Sequence, residues 1–392
     1  MPRIALLAVL LVGVLLASSP GVLTSQSPER PRARDLGIEV GVFTPGEHNA
    51  ITDVPGVRVG HTTVVRAPDV RTGVTAILPH GGNAYRSRVP AAIHVGNGYG
   101  KLLGVTQVRE LGELETPILL TCTLCVWKAA DAMVGWMLAQ EDMQNVRSLN
   151  ALVGETNDGG LNDIRSRPIE PEHVVSALES AAEGPVAEGA VGAGAGTSAF
   201  GWKGGIGTSS RVLPESLGGH AVGVLVQSNF GGILQIAGAP VGIELGRYAF
   251  ADQVGADADY DPEQDVQEWG SIMMVVATDA PLSDRNLERV ARRAVMGLSR
   301  TGSYASNGSG DYVIAFSTAN GVRRSATGGL RTYEDLGNES MSGIFQATVE
   351  ATEEAIYNSL LKAETVTSNG RTVEALPIEQ TVEILTRYGV IR

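Results

Sequence analysis

The chain has 392 residues, 43 Asp and Glu against 30 Lys and Arg for a formal charge of −13, 43% hydrophobic residues and two cysteines. It is long enough to bury a large core and too apolar to read as disordered, and its acidic balance, with no Lys/Arg-rich run interleaved with aromatics, argues against a nucleic-acid partner. Two cysteines cannot build a disulfide framework, while 49 glycines beside 5% aromatic residues point to close backbone approaches and tight turns, so that loops carry the site.

In chain order, Arg3 precedes an aliphatic run over 4–17, followed by Ser18, Ser19, Pro20 and Gly21 and a polar stretch over 25–34. This is the layout of a signal peptide, assigned here to residues 1–25 with cleavage near 19–26. The run of about 14 apolar residues is short of the roughly 20 a spanning helix needs, so the reading is export to the periplasm or medium without a stable membrane anchor. Residues 51–65, 74–78 and 91–95 are β-rich and read as strands. Apolar residues recur at helical spacing over 121–140, and a second helix is expected over 168–182. Cys122 and Cys125, in or beside the first of these helices, have no second pair to complete a zinc site and read as two small buried core residues rather than a redox pair. The tract 189–207 (GAVGAGAGTSAFGWKGGIG) is too glycine-rich for a helix or a regular strand and reads as backbone made to approach something closely.

A strand is expected over 221–227, then an acidic segment over 252–268. Asp257, Asp259, Asp261, Asp265 and Glu268 fall at calcium-loop positions, but Pro262 stands where the loop needs a glycine of positive φ, so the segment reads first as a solvated linker. It ends in Trp269 and Gly270, directly before a buried-strand pattern over 271–277. Ser283 is the expected N-cap of a basic amphipathic helix reaching about Leu298. A strand over 311–316, a long helix over 341–363 and a short C-terminal helix complete a mixed α/β pattern without a linker, read as one catalytic domain over 26–392. The six histidines are scattered without an HExxH, there is no GxSxG elbow, and Lys203 is followed by Gly204 rather than Ser or Thr, so zinc hydrolase, α/β-hydrolase and phosphate-loop chemistries are set aside.

The junction at 270–282 (GSIMMVVATDAPL) resembles the self-cleavage site of the L-aminopeptidase/D-alanine-esterase family, which includes the β-peptidyl aminopeptidases. Matching stretches run along nearly the whole chain after residue 30: 32–37 (RARDLG), 49–61 (NAITDVPGVRVGH), 154–159 (GETNDG), 201–211 (GWKGGIGTSSR), 227–231 (QSNFG) and 307–311 (NGSGD). The resemblance implies an αββα sandwich like that of N-terminal-nucleophile hydrolases but with different connectivity. It implies a cut between Gly270 and Ser271 into an α chain over about 26–270 and a β chain over 271–392, and αβ units that assemble, as tetramers above all. No metal or organic cofactor is implied. The chemistry fits the residue types: a freed α-amine, with a reference pKa of about 7.7 to 8.0, can serve as base to its own serine hydroxyl. By matching positions, Ser271 is nucleophile, Ser309 and Asp311 orient its amine and hydroxyl, Asn229 donates to the oxyanion, and Glu155 receives the free amino group of a short peptide, amide or ester. Asn157 stands where a branch of the family carries an active-site tyrosine, and Cys122 where relatives usually carry asparagine. Amidases acting on ω-amino oligomers and amine acyltransferases are similar alternatives, though both usually use threonine; a secreted calcium-binding module is the alternative outside enzymes.

Overall fold

The computed structural model describes residues 30–255, 270–326 and 329–392. The segment read as a signal peptide, residues 1–25, and the candidate calcium positions, 257–268, lie outside the described residues.

From the N-terminal side the elements are β1 (Arg58–Arg66), β2 (Val70–Leu78), β3 (Ser87–Gly98), β4 (Leu102–Leu103), α1 (Val105–Leu111), β5 (Glu113–Leu114), β6 (Ile118–Cys122), α2 (Val126–Leu138), β7 (Leu152–Thr156) and α3 (Pro171–Glu179). A short ribbon, β8 (Ser198–Ala199) with β9 (Trp202–Lys203), interrupts the glycine tract and leads to β10 (Ile206–Val212), β11 (Ala221–Asn229) and α4 (Val241–Glu244). Then follow β12 (Ser271–Thr278), α5 (Asp284–Arg300), β13 (Gly310–Ser317), β14 (Arg324–Ser325) and α6 (Met341–Leu361), with a C-terminal α7 (Ile378–Arg387).

One sheet has the order β1-β2-β6-β7-β4 and the other β10-β11-β12-β13-β3-β14, with β5 paired to β3. Alternation along β12 explains the layering. Ile272, Met274 and Val276 lie in the core that α5 and α6 close, whereas Met273, Val275 and Ala277 share the inter-sheet core with Ile77, Ile118, Leu120 and Leu152 of the other sheet. On that sheet's outer face, Val74, Ala76, Leu119 and Val153 pack against Ala129 and Met133 of α2 and Val174 and Ala177 of α3. The result is the expected αββα sandwich.

Three expectations shift. Residues 51–65 are not one strand: Ile51–Asp53 is a 3-10 turn, and β1 starts at Arg58. The turn forms because the Asp53 carboxylate accepts the N–H groups of His48 and Ala50 at 2.9 and 3.0 Å, a local alternative to a ladder. The helix expected from 121 begins at Val126, because residues 118–122 are the fully buried strand β6 between β2 and β7. The glycine tract also contains the first residues of a regular strand, β10. Gly207 sits in it because a Cβ there would collide with the Ala355 carbonyl of α6, so the expected close approach is the packing of that helix on the sheet. The helix N-cap at Ser283 forms as expected, its Oγ accepting the Asn286 N–H at 3.4 Å.

Candidate active site

At one end of the second sheet, Asn229 closes β11, Ser271 opens β12 and Gly310 opens β13, and the ladder places Ser271 directly between the other two. Ser271 is 5% exposed. Its hydroxyl donates to the Gly270 carbonyl oxygen at 2.5 Å, and the backbone N–H of Gly310 donates to that same oxygen at 3.2 Å. A hydroxyl thus lies against the carbonyl of its own peptide bond while a fixed N–H points at the oxygen on which charge would develop. Gly270 has no alternative residue here: a Cβ would come within 2.7 Å of the Phe230 Cα.

Ser309 and Asp311 stand to either side of Gly310, and the Ser309 hydroxyl donates to Asp311 Oδ1 at 2.6 Å. The Ser309 carbonyl is gripped by the Asn97 side chain at 2.5 Å and the Tyr99 N–H at 3.2 Å, which fixes the turn. Gly310 leaves no room for a side chain, since a Cβ would lie 2.6 Å from the Tyr99 carbonyl and 3.2 Å from Ser271 Oγ. Burial pushes the Asp311 carboxyl up to about 6, opposed by the Ser309 hydrogen bond. Its Oδ2 is buried without a hydrogen-bond partner among the described residues. In this uncut chain the Ser271 hydroxyl is engaged by Gly270 and the Ser309 hydroxyl by Asp311, so the structure brings the three residues around Gly310 without a hydrogen bond from the pair to Ser271.

Asn229 is 1% exposed; its Oδ1 accepts the Ser198 N–H at 3.1 Å and its Nδ2 donates to the Asn157 carbonyl at 3.0 Å, fixing the orientation of the amide. Asn157 therefore reaches the site through its backbone, while its exposed side chain accepts the Gly159 N–H at 3.1 Å in a local turn. The two substrate-binding expectations separate here. Glu155 is 2% exposed near the end of β7. A Cβ on Gly100 would lie 3.1 Å from Glu155 Oε1 and 3.5 Å from the Gly310 Cα, so that single glycine separates the carboxylate from the turn facing Ser271.

Sequence reasoning missed the partners of Glu155. Lys101 precedes β4, which pairs β7, and its N–H donates to Glu155 Oε1 at 2.8 Å. Its Nζ lies 3.5 Å from that oxygen and donates to Thr123 Oγ1 at 2.6 Å. No spacing in the sequence announces a two-residue strand, so only register brings Lys101 and Glu155 together. The loop that carries Thr123 is bridged by a disulfide between Cys122 and Cys125. Both cysteines are buried, as expected, but they are joined to each other rather than standing as separate core residues. Lys203 is fully buried and donates to the Gly194 and Gly204 carbonyls at 2.8 and 2.7 Å. Burial pulls its amine down to about 7, opposed by Asp158, and its observed contacts tie the glycine tract together.

Residues 49–373 match the model of peptidase family S58. The chain is 42% identical to β-peptidyl aminopeptidase BapA of Sphingosinicella microcystinivorans over 97% of this chain and 96% of that protein. Among solved structures it resembles the PH0078 protein of Pyrococcus horikoshii OT3, with a TM-score of 0.82, 46% identity and coverage of 92% of this chain and 100% of that one. It also resembles the L-aminopeptidase D-Ala-esterase/amidase of Ochrobactrum anthropi, described as a variant of the Ntn hydrolase fold, with a TM-score of 0.83, 36% identity and coverage of 93% and 100%. A serine at the head of a central strand, within the sandwich those proteins share, accompanies a match over most of the chain, and the chain belongs to peptidase family S58.

Proposed function

We propose that this protein is a serine aminopeptidase that activates itself by cutting between Gly270 and Ser271 and then releases N-terminal residues, β-amino acids among them, from short peptides, amides and esters. Aminopeptidase activity accords with the names of its relatives. The observation that carries the self-cleavage is the pair of contacts on one oxygen, Ser271 Oγ and the Gly310 N–H both on the Gly270 carbonyl. Attack of Oγ on the Gly270 carbonyl carbon breaks the peptide C–N bond and moves the acyl group from nitrogen to oxygen. Water then hydrolyses the ester, leaving Ser271 with a free α-amine. That amine takes the hydroxyl proton when Ser271 attacks a substrate carbonyl and passes it to the leaving amine. The unpartnered Asp311 Oδ2 is the acceptor that would hold the new amine, Asn229 Nδ2 is the donor for the substrate oxyanion, and Glu155 is the anchor for the substrate ammonium.

Intact mass measurement of wild type beside Ser271→Ala tests this. Wild type should run as two chains, the smaller beginning at Ser271, and the variant as one; an uncut but folded wild type would sink the mechanism. Export is part of the same proposal, supported by the layout of residues 1–25 and by a disulfide of the kind that persists in oxidising compartments. An assembly of αβ units, a tetramer above all, rests on the resemblance, and light scattering of the cut protein measures it.

A further inference from the structure

Glu155 and Lys101 form a charge pair of unequal exposure. Glu155 is 3% exposed at its side chain and Lys101 39%, with Lys101 Nζ 3.5 Å from Oε1. The Lys101 N–H and ammonium both face Oε1, which leaves Oε2 for a ligand cation. An ammonium has three N–H donors. One goes to Thr123 Oγ1 at 2.6 Å, one faces Glu155, and the half-exposed position leaves the third open to a ligand. A fixed minus and plus at this separation complement a ligand that carries an ammonium and a carboxylate on one carbon.

We propose that Lys101 is a specificity residue that admits N-terminal residues whose amine-bearing carbon also carries a carboxylate, which are the β-linked aspartyl (isoaspartyl) peptides. In such a residue the amine stands two carbons from the scissile carbonyl, as in a β-amino acid, and the α-carboxylate projects beside it. The ammonium sits on Glu155, the carboxylate on Lys101, and the side-chain carbonyl faces Ser271. This rests on the aminopeptidase reading above and adds a substrate class to it. Ser271 Oγ bonds to the side-chain carbonyl carbon and the amide C–N bond breaks. The hydroxyl proton passes through the Ser271 amine to the leaving amine, and water splits the ester to release aspartate and restore the hydroxyl.

The test compares β-aspartyl-leucine with β-homoalanyl-leucine, which share a leaving group, on self-cleaved wild type, Lys101→Met and Lys101→Arg. Wild type should hydrolyse both. Lys101→Met should lose about tenfold or more in kcat/KM on the β-aspartyl substrate, as for a lost hydrogen bond to a charged group. On β-homoalanyl, which loses only the support that Lys101 gives Glu155, the loss should be smaller, so that the ratio of the two kcat/KM values falls, and Lys101→Arg should recover part of that ratio. Equal losses on both substrates would mean that Lys101 only supports Glu155, and overturn the inference. Wild type that cleaves β-homoalanyl-leucine but refuses β-aspartyl-leucine overturns it alone; wild type that cleaves neither overturns the aminopeptidase reading with it. The readout is a ratio of two substrates on one preparation, so reduced folding yield of Lys101→Met does not blur it.

Discussion

Asp311 gives the uncut chain a distinctive response to pH. Its folded pKa of about 6 lies above the ordinary 3.8, so the folded chain holds this proton more tightly than the unfolded one. Stability contributed by the group is therefore present below about 3.8 and is lost as pH rises to about 6, after which the contribution of Asp311 changes no further. The melting temperature of Ser271→Ala should fall across that window, and adding Asp311→Asn should remove the share of the slope that Asp311 contributes, leaving that of Asp158 and Glu188, whose carboxyls burial pushes up to about 7. Ionised Asp311 is also the form that can hold an ammonium, so self-cleaved wild type, with a new cation at Ser271, should lack Asp311's share of the slope. A second expectation concerns Asn229, whose amide is held by Ser198 and Asn157. Asn229→Ala should lower kcat by about 100- to 1000-fold with KM little changed, measured on any cleaved amide, because in its proposed role the lost donor would act on charge that develops only in the transition state. Ser271, Ser309, Asp311, Asn229 and Glu155 could be singled out as candidates in the sequence because each lies inside a short contiguous string. Lys101 and the Gly310 N–H were not: one depends on strand register, and the other is backbone, which carries no side-chain identity to read.

The elements were legible where periodicity admits one answer. The 17-residue amphipathic α5 is one case, with an N-cap at Ser283 that the sequence marks; β12, buried along its whole length, reads as a strand from its short apolar run and its flanks rather than from alternation. The misreadings fall where an apolar run fits two periods. β6 is five residues, all buried, and runs through a tight turn into α2, so alternation could not separate strand from helix. Gly207 defeated composition in another way, since it marks contact between β10 and α6 rather than irregular backbone. Gly207→Ala should therefore push the helix off the sheet and cost about 1 to 3 kcal/mol, read as a lower denaturant midpoint with an unchanged slope. A loss near zero would mean that α6 slides without penalty.

A cut at the proposed junction, 270/271, would divide the molecule without separating its parts. Of the seven-stranded sheet, β10, β11, β3 and β5 precede the junction and β12, β13 and β14 follow it, yet β3 lies between β13 and β14. A buried ion cluster also crosses it. Arg211, fully buried, pairs with Glu350 at 3.1 Å and Glu354 at 2.7 Å, Arg34 reaches Glu354 at 3.0 Å, and the Ala33 N–H donates to Asn358 at 2.9 Å. Every cation of this cluster comes from before the junction and every carboxylate from after it. Glu354→Ala should leave Arg211 partly unpaired and cost about 3 to 5 kcal/mol, and in the cut protein it should lower the urea concentration at which size-exclusion chromatography resolves two chains.

The five-stranded sheet lies wholly before the junction, but because strands from before and after it interleave in the other sheet, neither half of the proposed cut can complete that layer alone. An uncut chain closes the sheet by a first-order process, independent of how much protein is present. Once the bond is gone, an unfolded molecule must find its other half by diffusion, and each half waits with raw strand edges exposed. Recovery from urea should therefore fall on dilution for the cut enzyme and stay constant for Ser271→Ala. Maturation by the proposed cut would be a one-way passage: the covalent link that makes assembly efficient would be spent in making the nucleophile, and each molecule would carry its folding instructions only until its first turnover on itself.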